Sequence, residues 1–185
     1  MPSLARWGKC YAITREEKQE LAGLDIMETP DGPFGFIVDG DELIAAGWSG
    51  DPQRLLAHVH PSLRPRRLDD SPSYLRTVRL LVADYYAGDH SAPARAEVKQ
   101  LSGEFRLAAW RALREVPAGQ LVSYAELAEL AGRPSAVRAA ASACSRNAVA
   151  LFVPCHRVVR SDGSHGGFAY GLDLKERLIG RELSR

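Results

Sequence analysis

No run of apolar residues in this 185-residue chain approaches the ~20 that cross a bilayer, and the N-terminus lacks the apolar core of a secretory signal. The expectation is a cytoplasmic protein with no membrane partner. Cysteine is scarce: Cys10, Cys144 and Cys155 form an odd set without framework spacing, so disulfide stapling is not expected. Clustered metal ligands are also missing. Cys10, His58, His60 and His90 are scattered, and no metal is expected. There is no internal repeat and no low-complexity tract. Nor is there an excess of charge of one sign, the formal net charge being +1. That balance hides a split. Residues 1–100 carry 12 Lys+Arg against 15 Asp+Glu, while residues 101–185 carry 12 against 8. A modest positive excess in the second half is compatible with phosphate contacts or with ordinary solvated surface.

What is present suits a soluble globular chain: 45% hydrophobic and 25% charged residues, enough for one domain or two small ones. Thr14 and Glu17 have capping-box spacing, which predicts a short helix over Arg15–Ala22 ended by Gly23. PFGFIVDGDELIAAGW reads as two strands turning at Asp39–Gly40. A short helix is expected within Asp51–His60. A longer one starts at Ser71–Pro72, with Leu75, Val78, Leu81, Val82 and Tyr85 on its apolar face up to Gly88. Asp89–Gln100 reads as loop and then strand. The division falls near residue 100: a small α/β domain over 1–100, an antiparallel sheet with helices, and a mainly α domain over 101–185.

In the second domain, Phe105, Ala109, Ala112 and Leu113 share one face of a helix that Pro117 and Gly119 close. Ser123 and Glu126 repeat the capping-box pattern at the start of SYAELAELAG. Gly132 stops that helix and Pro134–Ser135 restart the chain into AVRAAASACSRN, the outline of a helix-turn-helix with a winged-helix-like setting. The second helix carries little bulk. It either packs closely on its own core or approaches a nucleic-acid groove, with Arg138 as the long side chain of its first turn. A helix-turn-helix alone would suggest a transcription regulator.

A regulator has little use for the stretch LFVPCHRVVRSDGSHGG, Leu151 to Gly167, where Cys155 stands between Pro154 and His156–Arg157. The sulfur is either core filler or a nucleophile with a site built around it. With PCHRV preceded by Asn147, Arg138 and SYAELAELAG, the chain resembles the O6-alkylguanine-DNA alkyltransferases, proteins of direct-reversal DNA repair. VPAGQLVSY and GLDLKERLIGRE extend the resemblance over Phe105 to about Glu182. The first half agrees loosely, through TPDGPFGFIVDGDELIAAGW. Residues 1 to about 27 have no counterpart and read as an extension of unassigned role.

The resemblance implies a role for each matching residue. Cys155 would accept the alkyl group in a single irreversible turnover. His156 would take the thiol proton through a water, and Glu182 would orient and charge-balance that histidine. Tyr124 would crowd the 3′ phosphate to turn the nucleotide out and would donate a hydrogen bond to the purine. Arg138 would fill the gap left by the flipped base, with Ser135 and Ala139 beside it on the DNA face. Asn147 would brace the turn between the recognition helix and the acceptor segment. Main-chain carbonyls of Cys155 and Val158 would receive the guanine amine. Pro154 and Arg157 are counted with the residues that form or support the pocket, Arg157 being read as structural, buried against carbonyls or an acid. The implied partner is double-stranded DNA containing O6-alkylguanine, bound by a monomer through the minor groove, without a cofactor. One departure stands out. Phe168, Ala169 and Tyr170 occupy the loop over the pocket, where many members have Tyr and then a small residue. Ala169 has only its backbone N–H to offer the guanine oxygen, and Tyr170 adds bulk. Cys144, Trp48 and Trp110 are read as packing, as are Cys10 and Trp7.

Overall fold

The computed structural model describes residues 21–69 and 73–184. Strands β1 (Leu21–Thr29), β2 (Gly32–Asp39) and β3 (Glu42–Gly47) form an antiparallel meander. Gly32 (φ 101°) and Gly40 (φ 61°) supply the left-handed backbone at its two tight turns. A short β4 (Arg67–Asp69) runs parallel to β1, so the order is β3-β2-β1-β4 and the expected antiparallel sheet has one parallel edge. β2 is buried on both faces, Phe34 and Phe36–Val38 being inaccessible.

Leu21–Gly23 begin β1, so Gly23 does not end a helix. The ladder from Gly23↔Val38 to Thr29↔Gly32 outweighs the local capping signal. The rest of that expected helix, Trp7, Cys10 and the Ser71–Pro72 start lie outside the described residues. Helix α1 (Pro52–Leu56) is shorter than the 51–60 expectation, because the chain runs on into a 3₁₀ turn at Pro61–Leu63. Helix α2 (Ser73–Tyr86) lays Leu75, Val78, Leu81, Val82 and Tyr85 against β1 and β2. The expected strand before Gln100 is instead a 3₁₀ turn at Ala92–Arg95 followed by a single bridge from Val98 to Leu43.

The second half is helical: α3 (Glu104–Glu115), α4 (Tyr124–Leu130), α5 (Val137–Ser145) and α6 (Leu172–Leu183). β5 (Val122–Ser123) and β6 (Val158–Val159) form a parallel pair beside them. Ser123 and Glu126 close a full capping box on α4. Gly132 (φ 80°) ends it, and α5 completes the helix-turn-helix. Ala140 and Ala143 are buried and the Trp110 indole donates to Ala143 O at 2.9 Å, so the small residues of the inner face let α5 sit close to α3.

A backbone seam joins the halves. Ala46 N donates to Ala148 O and Ala150 N to Ala46 O, both at 2.9 Å, while Leu43 pairs with Glu97 and Lys99. The free edge of β3 therefore holds the segment that leads to Cys155.

Candidate active site and nucleic-acid interface

Leu151–Val153 are buried, and Leu151 (φ 72°) is the one non-glycine residue with left-handed backbone among the described residues. The Asn147 side chain closes this loop from inside. Its Nδ2 donates to Val153 O at 2.8 Å, and its Oδ1 accepts from Val149 N at 3.1 Å. The same Nδ2 donates to Cys155 Sγ at 3.3 Å. Gln100, at the junction of the halves, donates to Asn147 Oδ1 and accepts from Ala148 N.

After Pro154 the chain turns through one 3₁₀ helix, Cys155–Arg157. Cys155 is 7% exposed and lies on the wall of a pocket of about 540 Å³ lined also by Tyr124, Ser142, Cys144 and Phe168–Tyr170. Burial pushes the Cys155 thiol above its ordinary range, while the Asn147 hydrogen bond and the Lys175 charge oppose that push.

His156 is fully buried and its Nε2 lies 2.9 Å from Glu182 Oε1. Burial lowers the histidine's pKa, overriding the carboxylate. A neutral ring whose Nε2–H donates to Glu182 leaves Nδ1 as the acceptor, and Nδ1 is buried with no partner among the described residues. Glu182 is bound from several sides. Arg157 donates Nε to Oε2 (2.8 Å) and Nη2 to Oε1 (2.9 Å), Tyr85 Oη donates at 3.3 Å, and Gly119 N at 3.4 Å. Burial alone would raise this carboxyl, but the His156 and Arg157 hydrogen bonds and charges hold it at about 2. Arg157 spends its remaining Nη1 on Val116 O at 2.6 Å, so it meets both an acid and a carbonyl.

The opposite wall is set by close approach. A Cβ on Gly166 would stand 2.1 Å from Tyr124 Oη, so a side chain there would push the tyrosine out of its present place. Burial raises the Tyr124 pKa, keeping it a phenol able to donate. Trp48, from the first half, meets Phe168 and Tyr170 with centroids 6.2 and 5.5 Å away. Ser135, Arg138 and Ala139 are exposed on the outer side of the helix-turn-helix.

Val158 O is not free for a ligand alone, because it accepts from Lys175 Nζ. Lys175 and Gln100 were not singled out from sequence, Tyr85 was read only as part of an apolar helix face, and Cys144, read as packing, borders the pocket. A signal for Lys175 existed. Leu174, Lys175, Leu178, Ile179 and Glu182 share the buried face of α6, so two charges lie on an apolar stripe. Among the described residues no three His, Cys, Asp or Glu converge on a metal site, and no helix is long and apolar enough to cross a membrane.

Residues 104–184 match the model of the 6-O-methylguanine DNA methyltransferase, DNA binding domain. The chain is 46% identical over 161 residues to a methylated-DNA–protein-cysteine methyltransferase of Methanosarcina barkeri, covering 84% of this chain and 93% of that one. It is 50% identical over 78 residues to the bifunctional transcriptional activator/DNA repair enzyme Ada of Escherichia coli; the match covers 42% of this chain and spans only 22% of that longer protein. Mycobacterium tuberculosis OGT in complex with DNA superposes with a TM-score of 0.72 at 27% identity, covering 88% of this chain and 93% of that one.

Proposed function

The chain belongs to the methylated-DNA–protein-cysteine methyltransferase family, and we propose that it repairs double-stranded DNA by moving the alkyl group of O6-alkylguanine, and of O4-alkylthymine, onto Cys155. One observation carries this reading: a thiol hydrogen-bonded by Asn147, next to a neutral His156 held by Glu182, opens into a pocket bordered by a helix-turn-helix.

The step is displacement at carbon. Sulfur forms a bond to the alkyl carbon, the carbon–oxygen bond breaks, and guanine leaves through its oxygen and takes up a proton. His156 Nδ1 receives the thiol proton through a water. Ionisation alone does not carry the rate. An ordinary thiol is ~7% thiolate near pH 7.4, and a lower pKa that ionised it fully would also make each thiolate ~10-fold less nucleophilic. Alignment of sulfur, carbon and leaving oxygen contributes more, up to ~7–11 kcal/mol. Tyr124 and backbone N–H groups stabilise the departing oxygen.

The target atom lies inside the duplex, so the base must be extruded, at a cost of a few kcal/mol that is smaller for a damaged pair. Tyr124 displaces the nucleotide, Arg138 fills the gap, and the small outer face of α5, with Ser135 and Ala139, lets the helix enter the minor groove. The thioether has no route back, so each molecule acts once, as a monomer in the cytoplasm and without a cofactor.

The test is incubation with duplex DNA containing O6-methylguanine, followed by mass spectrometry. One methylene mass per chain is expected, on the peptide holding Cys155 and absent in Cys155→Ser. A regulator, an acyl hydrolase or a damage binder that does not transfer gives no adduct, and repeated turnover by one molecule also defeats the reading.

A further inference from the structure

Lys175, on α6, is completely buried. Taking an ammonium out of water is costly unless an anion or a full set of acceptors meets it. Among the described residues, Nζ donates to Val158 O and, at 3.4 Å, to Gly166 O, and it meets no carboxylate. Glu182, the acid on the same buried helix face, is engaged by His156 and Arg157. Of the three donors of an ammonium, one remains.

Both carbonyls lie in segments that flank the acceptor pocket. Val158 follows the turn that carries the sulfur, and its N–H donates to Cys155 O. Gly166 is the residue against which Tyr124 Oη packs. The other charged and titratable groups around this centre are accounted for. Arg157 is neutralised by Glu182, His156 is kept neutral by burial, and Arg160 is exposed. Cys144 on α5, Tyr124 on α4 and Tyr170 in the loop over the pocket are held protonated by burial. Among the described residues Lys175 is thus the buried cation left without a countercharge, and the anion that the reaction creates is the Cys155 thiolate.

We propose that Lys175 is a positioning residue that acts through Cys155, as the countercharge of its thiolate, while fixing the Val158 and Gly166 carbonyls beside the pocket. Burial drives the thiol and the ammonium toward their neutral forms, and their mutual attraction opposes both shifts, so the two ionise as a pair. The inference rests on Cys155 as the alkyl acceptor.

The test follows ultraviolet thiolate absorbance against pH, without DNA, in the full chain and in Lys175→Met and Lys175→Arg, with Cys155→Ser as the blank. In Lys175→Met the thiolate is expected to form at least about one pH unit higher, so methyl transfer slows about threefold near pH 7, the smaller thiolate fraction being partly offset by its greater nucleophilicity, and the deficit narrows as pH rises. Lys175→Arg keeps most of the wild-type titration. Should Lys175→Met not fold, the Lys175 ammonium is titrated by NMR in wild type and in Cys155→Ala, where loss of the anion lowers its pKa. A folded Lys175→Met with an unmoved thiolate titration, or a Lys175 titration indifferent to Cys155→Ala, overturns the role. Wild-type protein that takes no methyl from DNA overturns the function itself, a separate failure.

Discussion

The hydroxyl of Tyr170 occupies the space that a side chain on Gly47 would need: a Cβ there would stand 1.8 Å from Tyr170 Oη. Tyr170 also packs edge-on against Trp48. The end of β3 in the first half therefore seats an aromatic wall of a pocket whose reacting groups all belong to the second.

Adduct size should report on that seat. Wild type is expected to take methyl faster than benzyl, and Tyr170→Ala to raise the benzyl-to-methyl rate ratio about tenfold. Gly47→Ala displaces Tyr170 and shifts the ratio too. Gly50→Ala, whose added carbon meets Pro33 at an ordinary 3.7 Å, leaves it alone. Single-turnover rates on the two adducts decide; benzyl transfer as fast as methyl in wild type would sink the prediction.

Acid should unfold the protein in two stages. His156 is pushed below its ordinary 6.5, so the unfolded chain binds that proton first and stability starts to fall below about pH 6.5. Glu182 sits at about 2 against an ordinary 4.5. Its contribution, about 3 kcal/mol, is complete above pH ~4.5 and drains away as pH falls toward 2. Urea midpoints from pH 7 to pH 3 should drop less steeply in Glu182→Gln, and parallel curves would contradict this.

Arg138 is exposed, and no polar partner is seen for it among the described residues. Arg138→Ala should leave stability within about 0.5 kcal/mol of wild type. Transfer from duplex DNA should slow markedly, while transfer from free O6-benzylguanine stays unchanged. An equal loss on both substrates would remove Arg138 from base extrusion.

Asn147 is 7% exposed, and its side chain satisfies Val149 N and Val153 O as well as touching the thiol. Asn147→Ala should cost about 2–3 kcal/mol by leaving buried backbone groups unpaired, and should slow alkyl transfer. Gln100→Ala, farther from the sulfur, should cost less of both. Denaturant melts and single-turnover rates that reverse this ranking would refute it.

The parts legible in the sequence are those with local signals. The apolar face of α2, the capping box of α4, the Gly132 stop and the Pro154–Val158 string each lie within a few turns of chain. What escaped depends on distant pairing. β1 is a strand because β2 and β4 flank it, not because of its own residues. Tyr85 reaches Glu182 across 97 positions and Gln100 reaches Asn147 across 47. Lys175 was missed for another reason: a lysine on an amphipathic helix reads as solvated unless its neighbours on the stripe are counted.

The pairing of Ala46 with residues 148–150 limits how this architecture can be recombined. A chimera that took its second half from a relative would inherit that relative's helices. Its acceptor loop would still dangle unless the transplanted backbone matched the donor-and-acceptor spacing of one alanine on the host's β3. Compatibility at that alanine, more than similarity among the helices, decides which grafts become working proteins.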